Sequence, residues 1–128
     1  VEKVRAESAS ERLKTRLGEL FWDWGIPTAL SIIVVRRALM KLPLIASGGV
    51  RNGLEIAKCI AIGADMCAMA YPFLVNAVQS KECLYQFADT VIAELKSTMF
   101  LVGAGDMKTL KSTKYILTGE LRSEVNEY

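Results

Sequence analysis

The feature that most constrains the fold is LPLIASGGVRNGLEIAKCIAIGADMCAMAYPF, residues 42–73. Pro43 introduces LIAS at 44–47, and ADMCAMA comes next at 64–70. Both apolar runs are continuous rather than alternating, the pattern of parallel strands covered on both faces. Between them Ser47-Gly48-Gly49-Val50-Arg51 makes a glycine turn that hands over to a helix. Asn52 can cap that helix, with Glu55 three residues on. Leu54, Ile56, Ala57, Ile60 and Ala61 give it one apolar face, and Gly63 closes it. Pro72 suits the first position of a further helix, completing a βαβα unit. Two strands alone would leave backbone edges and outer faces open. The chain is therefore expected to be a piece of a larger α/β domain, either a doubly wound sheet or a (β/α)8 barrel.

The flanking segments are mostly helical in pattern. Residues 1–17 are polar almost all round and read as a surface segment, helical or mobile. Phe21, Trp22 and Trp24 precede Gly25, which can end a short helix, and Pro27 with Thr28 as cap opens the next element. Residues 29–40 contain a β-branched run, Ile32-Ile33-Val34-Val35, that favours a strand. Their length and the Arg36-Arg37 pair near the end favour a helix, which is the reading adopted. From Leu84, apolar residues at Phe87, Ala88, Val91, Ile92, Leu95 and Met99 step by three and four, giving a long amphipathic helix ended by Gly103 and Gly105. Asp106 can cap a short turn of helix through Leu110. Residues 114–128 read as a mixed polar tail.

Composition narrows the function classes. The chain has 128 residues, the size of one domain, and 52% of them are hydrophobic, enough for a core. Sixteen basic against fourteen acidic residues leave no basic block, so no nucleic-acid partner is expected. No apolar run approaches the roughly 20 residues of a membrane span, so a soluble protein with no membrane partner is expected. The cysteines Cys59, Cys67 and Cys83 lie in apolar or helical patterns without a C-x-x-C spacing, which suits reduced core residues in the cytoplasm. There is no histidine, so neither a Ser-His-Asp triad nor a histidine-based zinc site can be built from this chain alone. Any chemistry must come from a cofactor or from residues elsewhere. The chain starts with Val1 rather than methionine, and an upstream segment is expected.

The glycine turn has a possible chemistry. Ser47, Gly48 and Gly49 place backbone N–H groups at the carboxyl end of a strand, and the following helix adds partial positive charge, as in a phosphate cradle. Glycine lets a phosphate approach the backbone, and Arg51 could add a charge-assisted contact. Such turns also serve as simple corners, Arg51 also fits a solvated helix-start charge, and Tyr71 also fits an interfacial aromatic. In a barrel the ends of the last two strands commonly share one phosphate group, which would pair Ser47 to Arg51 with Ala70-Tyr71.

These residues carry a resemblance. SGGVRNGLEIAKCIAIGADMCAMAYPFL resembles the flavin-phosphate segment of type 2 isopentenyl-diphosphate isomerases, particularly archaeal-type members. DWGIPTALSI and ELKSTMFLVGAGDMKTLK resemble flanking stretches, and VEKVRAE resembles the segment just after that family's glycine-glycine-threonine-serine-tryptophan turn at the end of the sixth strand. The resemblance implies a (β/α)8 TIM barrel binding FMN, with residues 1–128 as its C-terminal portion, about the last two βα units. It implies that Ser47, Gly48, Gly49, Val50 and Arg51, together with Ala70 and Tyr71, hold the FMN phosphate, and that Glu2 is a catalytic-site acid near the flavin and substrate.

The activity implied is interconversion of isopentenyl diphosphate and dimethylallyl diphosphate in isoprenoid biosynthesis, with reduced FMN, Mg²⁺ and NAD(P)H. The implied partners are the small diphosphate substrate and further copies of the full chain, in a tetramer or octamer. Mg²⁺ and diphosphate contacts would lie upstream of Val1, leaving this segment inactive alone. Ala68 departs from the glycine usual in that family. Two other readings compete: an FMN-dependent oxidoreductase of the α-hydroxy-acid oxidase type, whose barrels carry a similar turn but also a histidine, and a non-catalytic phosphate-binding or dimerising fragment.

Overall fold

The computed structural model describes residues 9–22 and 24–127. Among the described residues, seven helices and two short strands run in the order α1 (Ala9–Leu20), α2 (Thr28–Ala38), β1 (Ile45–Ala46), α3 (Gly53–Ala61), β2 (Met66–Cys67), α4 (Tyr71–Gln79), α5 (Lys81–Leu101), α6 (Met107–Lys111) and α7 (Gly119–Glu127). β1 and β2 pair in parallel, with Ile45 opposite Met66 and Ala46 opposite Cys67. The α/β arrangement expected around residues 42–73 is present.

The strands are shorter than the apolar runs suggest and are covered on one face only. Ala46 is buried, whereas its neighbour Ile45 and the paired Met66 are 57% and 60% exposed. Adjacent residues of a strand point to opposite faces, so Ile45 and Met66 share an open apolar face and Ala46 packs toward the helices. The reason is simple: each strand has one described neighbour and nothing described lies over Ile45 and Met66.

Helix starts obey capping chemistry. The Asn52 Oδ1 accepts from the Glu55 N–H at 2.9 Å, the Ser80 Oγ from Cys83 N–H at 3.0 Å, and the Asp106 Oδ1 from Thr109 N–H at 2.7 Å. Thr28 is a correction. It is the first residue of α2, after Pro27, and makes no cap; its hydroxyl reaches across to the glycine turn instead. Gly25 does not end a helix either. α1 stops at Leu20 and passes through a turn in which Phe21 and Trp24 stack edge to face at 5.9 Å. Residues 114–128 are not simply a polar tail, because α7 sends Val125 into a small core with Leu30 and Ile33 of α2.

The main core lies between β1, β2, α3 and α6, around Ala46, Val50, Ala57, Ile60, Ala64 and Leu110. α5 packs along α3 so closely that a Cβ on Gly53 would come within 2.3 Å of the Leu95 backbone nitrogen. At the amino end of the strands, Arg36 and Asp65 tie the layers together. Arg36 donates to the carbonyls of Gly63, Met40 and Leu42, at 2.7, 2.9 and 3.0 Å, and pairs with Asp65 at 2.5 Å. Asp65 also pairs with Lys111 of α6 and accepts from the Leu44 N–H at 2.8 Å. Lys111, the Leu44 amide and Arg36 together hold the Asp65 carboxyl well below the usual carboxylate range, against a smaller opposing effect of desolvation.

Candidate phosphate site at the carboxyl ends of the strands

The parallel register carries the two candidate loops to one edge. The Ala68 N–H donates to the Ala46 carbonyl at 2.8 Å, so the chain leaves β1 through Ser47 and β2 through Ala68 side by side. From this edge Ser47-Gly48-Gly49-Val50-Arg51 runs into α3, and Met69-Ala70-Tyr71 runs into α4.

Gly48 and Gly49 adopt φ of +99° and +77°, backbone that side-chain-bearing residues rarely take. At Gly48 a Cβ would lie 3.1 Å from the Thr28 Oγ1; at Gly49 it would meet nothing within 4 Å. Gly49 is therefore not required by a protein neighbour, and the space its missing side chain leaves is open to a ligand. Among the described residues no partner takes the N–H groups of Gly48, Gly49 or Val50. Ser47, Gly48, Gly49 and Arg51 are exposed at this edge, as are Ala70 and Tyr71, the latter by 70%. Val50 differs: its side chain is buried in the core, so only its backbone can face a ligand.

The start of α3 is partly partnered within the chain. At the start of α3 the Gly53 N–H donates to the Glu94 carboxylate at 2.8 Å, the Arg51 N–H donates to Glu55 at 2.6 Å, and Asn52 takes the N–H of Glu55. Two carboxylates and an amide oxygen thus take three of the N–H groups around that terminus. α4 begins at Tyr71 after Ala70, with Pro72 in its first turn and no side-chain cap. Its partial positive charge lies at the same edge as the glycine turn, so the start of α4 is also suited to an anion.

The structure thus brings Ser47, Gly48, Gly49, Arg51, Ala70 and Tyr71 to one edge. Glu2 lies outside the described residues. Sequence reasoning missed the role of Thr28, whose 2.8 Å hydrogen bond to the Gly48 carbonyl spans 20 residues, and that of Glu94, 41 residues from Gly53; no local pattern could have flagged either. The cysteines are free thiols. A hydrogen bond with the neighbouring Cys59, together with burial, pushes the Cys67 thiol up, unlike an activated nucleophile. Among the described residues no cluster of metal-ligating side chains occurs and no helix is long and apolar enough to cross a membrane.

A family model described as FMN-dependent dehydrogenase matches residues 23–117, most of the chain. The chain belongs to this family. It is a TIM-barrel family, and the match contains both strands and every element of the glycine-turn site. The chain is also similar to curated relatives named isopentenyl-diphosphate delta-isomerase. That of Methanosarcina mazei is 42% identical over 99% of this chain and 34% of its own length. That of Synechococcus sp. is 48% identical over 85% of this chain and 31% of its own. That of Methanocaldococcus jannaschii is 43% identical over 98% and 34%. The chain spans about a third of the length of these relatives.

Proposed function

We propose that this chain forms about the last two βα units of an FMN-binding (β/α)8 barrel, and that the protein carrying it interconverts isopentenyl diphosphate and dimethylallyl diphosphate. The observation that carries the reading is the shared edge at the ends of β1 and β2. Two glycines at positive φ offer unpartnered amides there beside the uncapped start of α4. The open Ile45 and Met66 face supports the barrel part of the proposal, because in a barrel that face would be covered by side chains from other strands. Identities of 42–48% to relatives named as the isomerase favour this activity over hydroxy-acid oxidation. The lack of histidine points the same way.

The amides of Gly48, Gly49 and Val50, the Arg51 guanidinium and the start of α4 at Ala70-Tyr71 would hold the FMN phosphate. FMN, when bound and reduced, supplies acid–base chemistry at the allylic carbons of the substrate. The residues of this chain anchor and orient the cofactor through its phosphate end. Their preorganisation fixes how far the rest of the cofactor reaches across the strand ends. Glu2 is proposed as a catalytic-site acid beside flavin and substrate. Mg²⁺, NAD(P)H, a homo-oligomeric assembly and a cytoplasmic location enter the proposal through the family resemblance, and no described residue is assigned to them.

The test is a conversion assay on the intact protein with isopentenyl diphosphate under reducing and oxidising conditions. The expected result is isomerisation only with reduced flavin. Oxidation of a hydroxy acid without isomerisation would replace this reading with the oxidoreductase one.

A further inference from the structure

The geometry points to Thr28 as a positioning residue for the phosphate site, acting through the backbone of Gly48; this inference rests on the phosphate reading above. Thr28 starts α2, where Pro27 fixes the entry of the helix, and it needs no hydroxyl for that start because it makes no cap. Instead its Oγ1 donates to the Gly48 carbonyl at 2.8 Å. Gly48 is the first of the two residues at positive φ, and a carbonyl held there fixes the peptide plane whose nitrogen belongs to Gly49. That N–H is one of the unpartnered amides of the turn.

Nothing else described restrains the turn from this side. A cavity of about 160 Å³ separates the start of α2 from β1, and it is lined by Thr28, Ser31, Ile32, Leu44, Ala46 and Ser47. Across that gap the Thr28 hydroxyl is a direct link from the helix to the turn. Without it, Gly48 and Gly49, with the widest backbone freedom of any residue, would sample orientations that turn the Gly49 N–H away from the phosphate. A Cβ at Gly48 would sit 3.1 Å from the Thr28 Oγ1 and press directly on this bond. Thr28 and Gly48 therefore act as a matched pair, although Thr28 itself need not touch the ligand.

The experiment titrates the deflavinated intact protein with FMN and with riboflavin, which lacks the phosphate, and records the melting temperature of each apoprotein. The variants are Thr28→Val, Thr28→Ala as a good helix former should valine not fold, Thr28→Ser, and Arg51→Ala as a control on the phosphate reading. Loss of one hydrogen bond predicts FMN binding about tenfold weaker in Thr28→Val and Thr28→Ala. Thr28→Ser should retain FMN affinity, and riboflavin affinity should not change in any variant. Equal weakening of FMN and riboflavin, or unchanged FMN affinity in Thr28→Ala while Arg51→Ala weakens it, would overturn the role of Thr28. Unchanged FMN affinity in Arg51→Ala as well would overturn the phosphate reading itself.

Discussion

Replacing Gly53 with alanine is expected to destabilise the protein by about 2–4 kcal/mol, and the structure supplies each contribution. The added Cβ would lie 2.3 Å from the Leu95 nitrogen, 2.5 Å from the Val91 oxygen and 2.6 Å from the Glu94 Cβ. Two of these are backbone atoms of a 21-residue helix and cannot rotate aside. α3 and α5 must separate by roughly 1 Å to restore ordinary contact, and such overpacking typically costs about 1–3 kcal/mol. The same movement stretches the 2.8 Å bond from the Gly53 N–H to the Glu94 carboxylate, a charge-assisted bond whose loss is of order 1.5–3 kcal/mol. Alanine's better helix propensity returns at most about 1 kcal/mol. Gly49→Ala is the contrast, because its Cβ meets nothing within 4 Å and only the positive φ is strained. That strain costs about 1–2 kcal/mol. Urea unfolding of the intact protein, monitored by circular dichroism, measures both. A Gly53→Ala midpoint equal to or above that of Gly49→Ala would refute the close α3–α5 crossing.

The same contacts predict other outcomes. Arg51→Ala should weaken FMN retention by about 1–3 kcal/mol, the scale of a charged hydrogen bond, read by flavin fluorescence in a titration; unchanged affinity would remove Arg51 from the site. Asp65→Asn should lower the melting temperature at pH 7, since Asp65 joins Arg36, Lys111 and the Leu44 amide. Because the folded pKa of Asp65 lies below its unfolded value near 3.9, its contribution is complete above that value and fades as pH falls through and below it. The gap between wild type and Asp65→Asn should therefore narrow from pH 5 toward pH 3, and a gap that widens on acidification would contradict the ion-pair account. The isolated 128-residue chain should bind FMN weakly or not at all, by equilibrium dialysis; tight one-to-one binding would contradict the partial-barrel proposal.

Local chemistry was legible in the sequence. Asn52 and Asp106 each place a capping oxygen next to an amide three residues away, and the apolar stepping from Leu84 to Met99 marks the inner side of α5, where Val91 is buried, although Ile92 stays exposed. Ser80 was missed because Lys81-Glu82-Cys83 adds no large apolar residue before Leu84, although its cap begins the helix. α7 was missed because Leu117, Leu121 and Val125, spaced by four, are thinly spread among polar residues; their packing on α2 becomes visible only in three dimensions. Strand length failed for another reason. The apolar runs at 44–47 and 64–70 record burial that two strands cannot provide by themselves, so the ladder stops at two residues in each.

The candidate site divides in the same way. Gly48, Gly49 and Arg51 could be picked out because their spacing has a local physical meaning. Thr28 and Glu94, which hold the turn and the start of α3, act across 20 and 41 residues of sequence. Val50 enters the proposed cradle through the family resemblance, and only its backbone is free to take part, because its apolar side chain belongs to the core. At the start of α3 the Glu55 carboxylate belongs to the local capping pattern, whereas Glu94, 41 residues from Gly53, becomes visible as a partner only after folding.

The role proposed for this edge is to anchor the cofactor of an FMN-dependent isomerase. The most direct measurement monitors isopentenyl diphosphate and dimethylallyl diphosphate by NMR, using the intact FMN-loaded protein under anaerobic conditions with the flavin first oxidised and then reduced. Interconversion is expected only in the reduced state, with no net consumption of reductant per turnover. Equal rates in both states, or no interconversion in either by a folded and FMN-loaded protein, would contradict it.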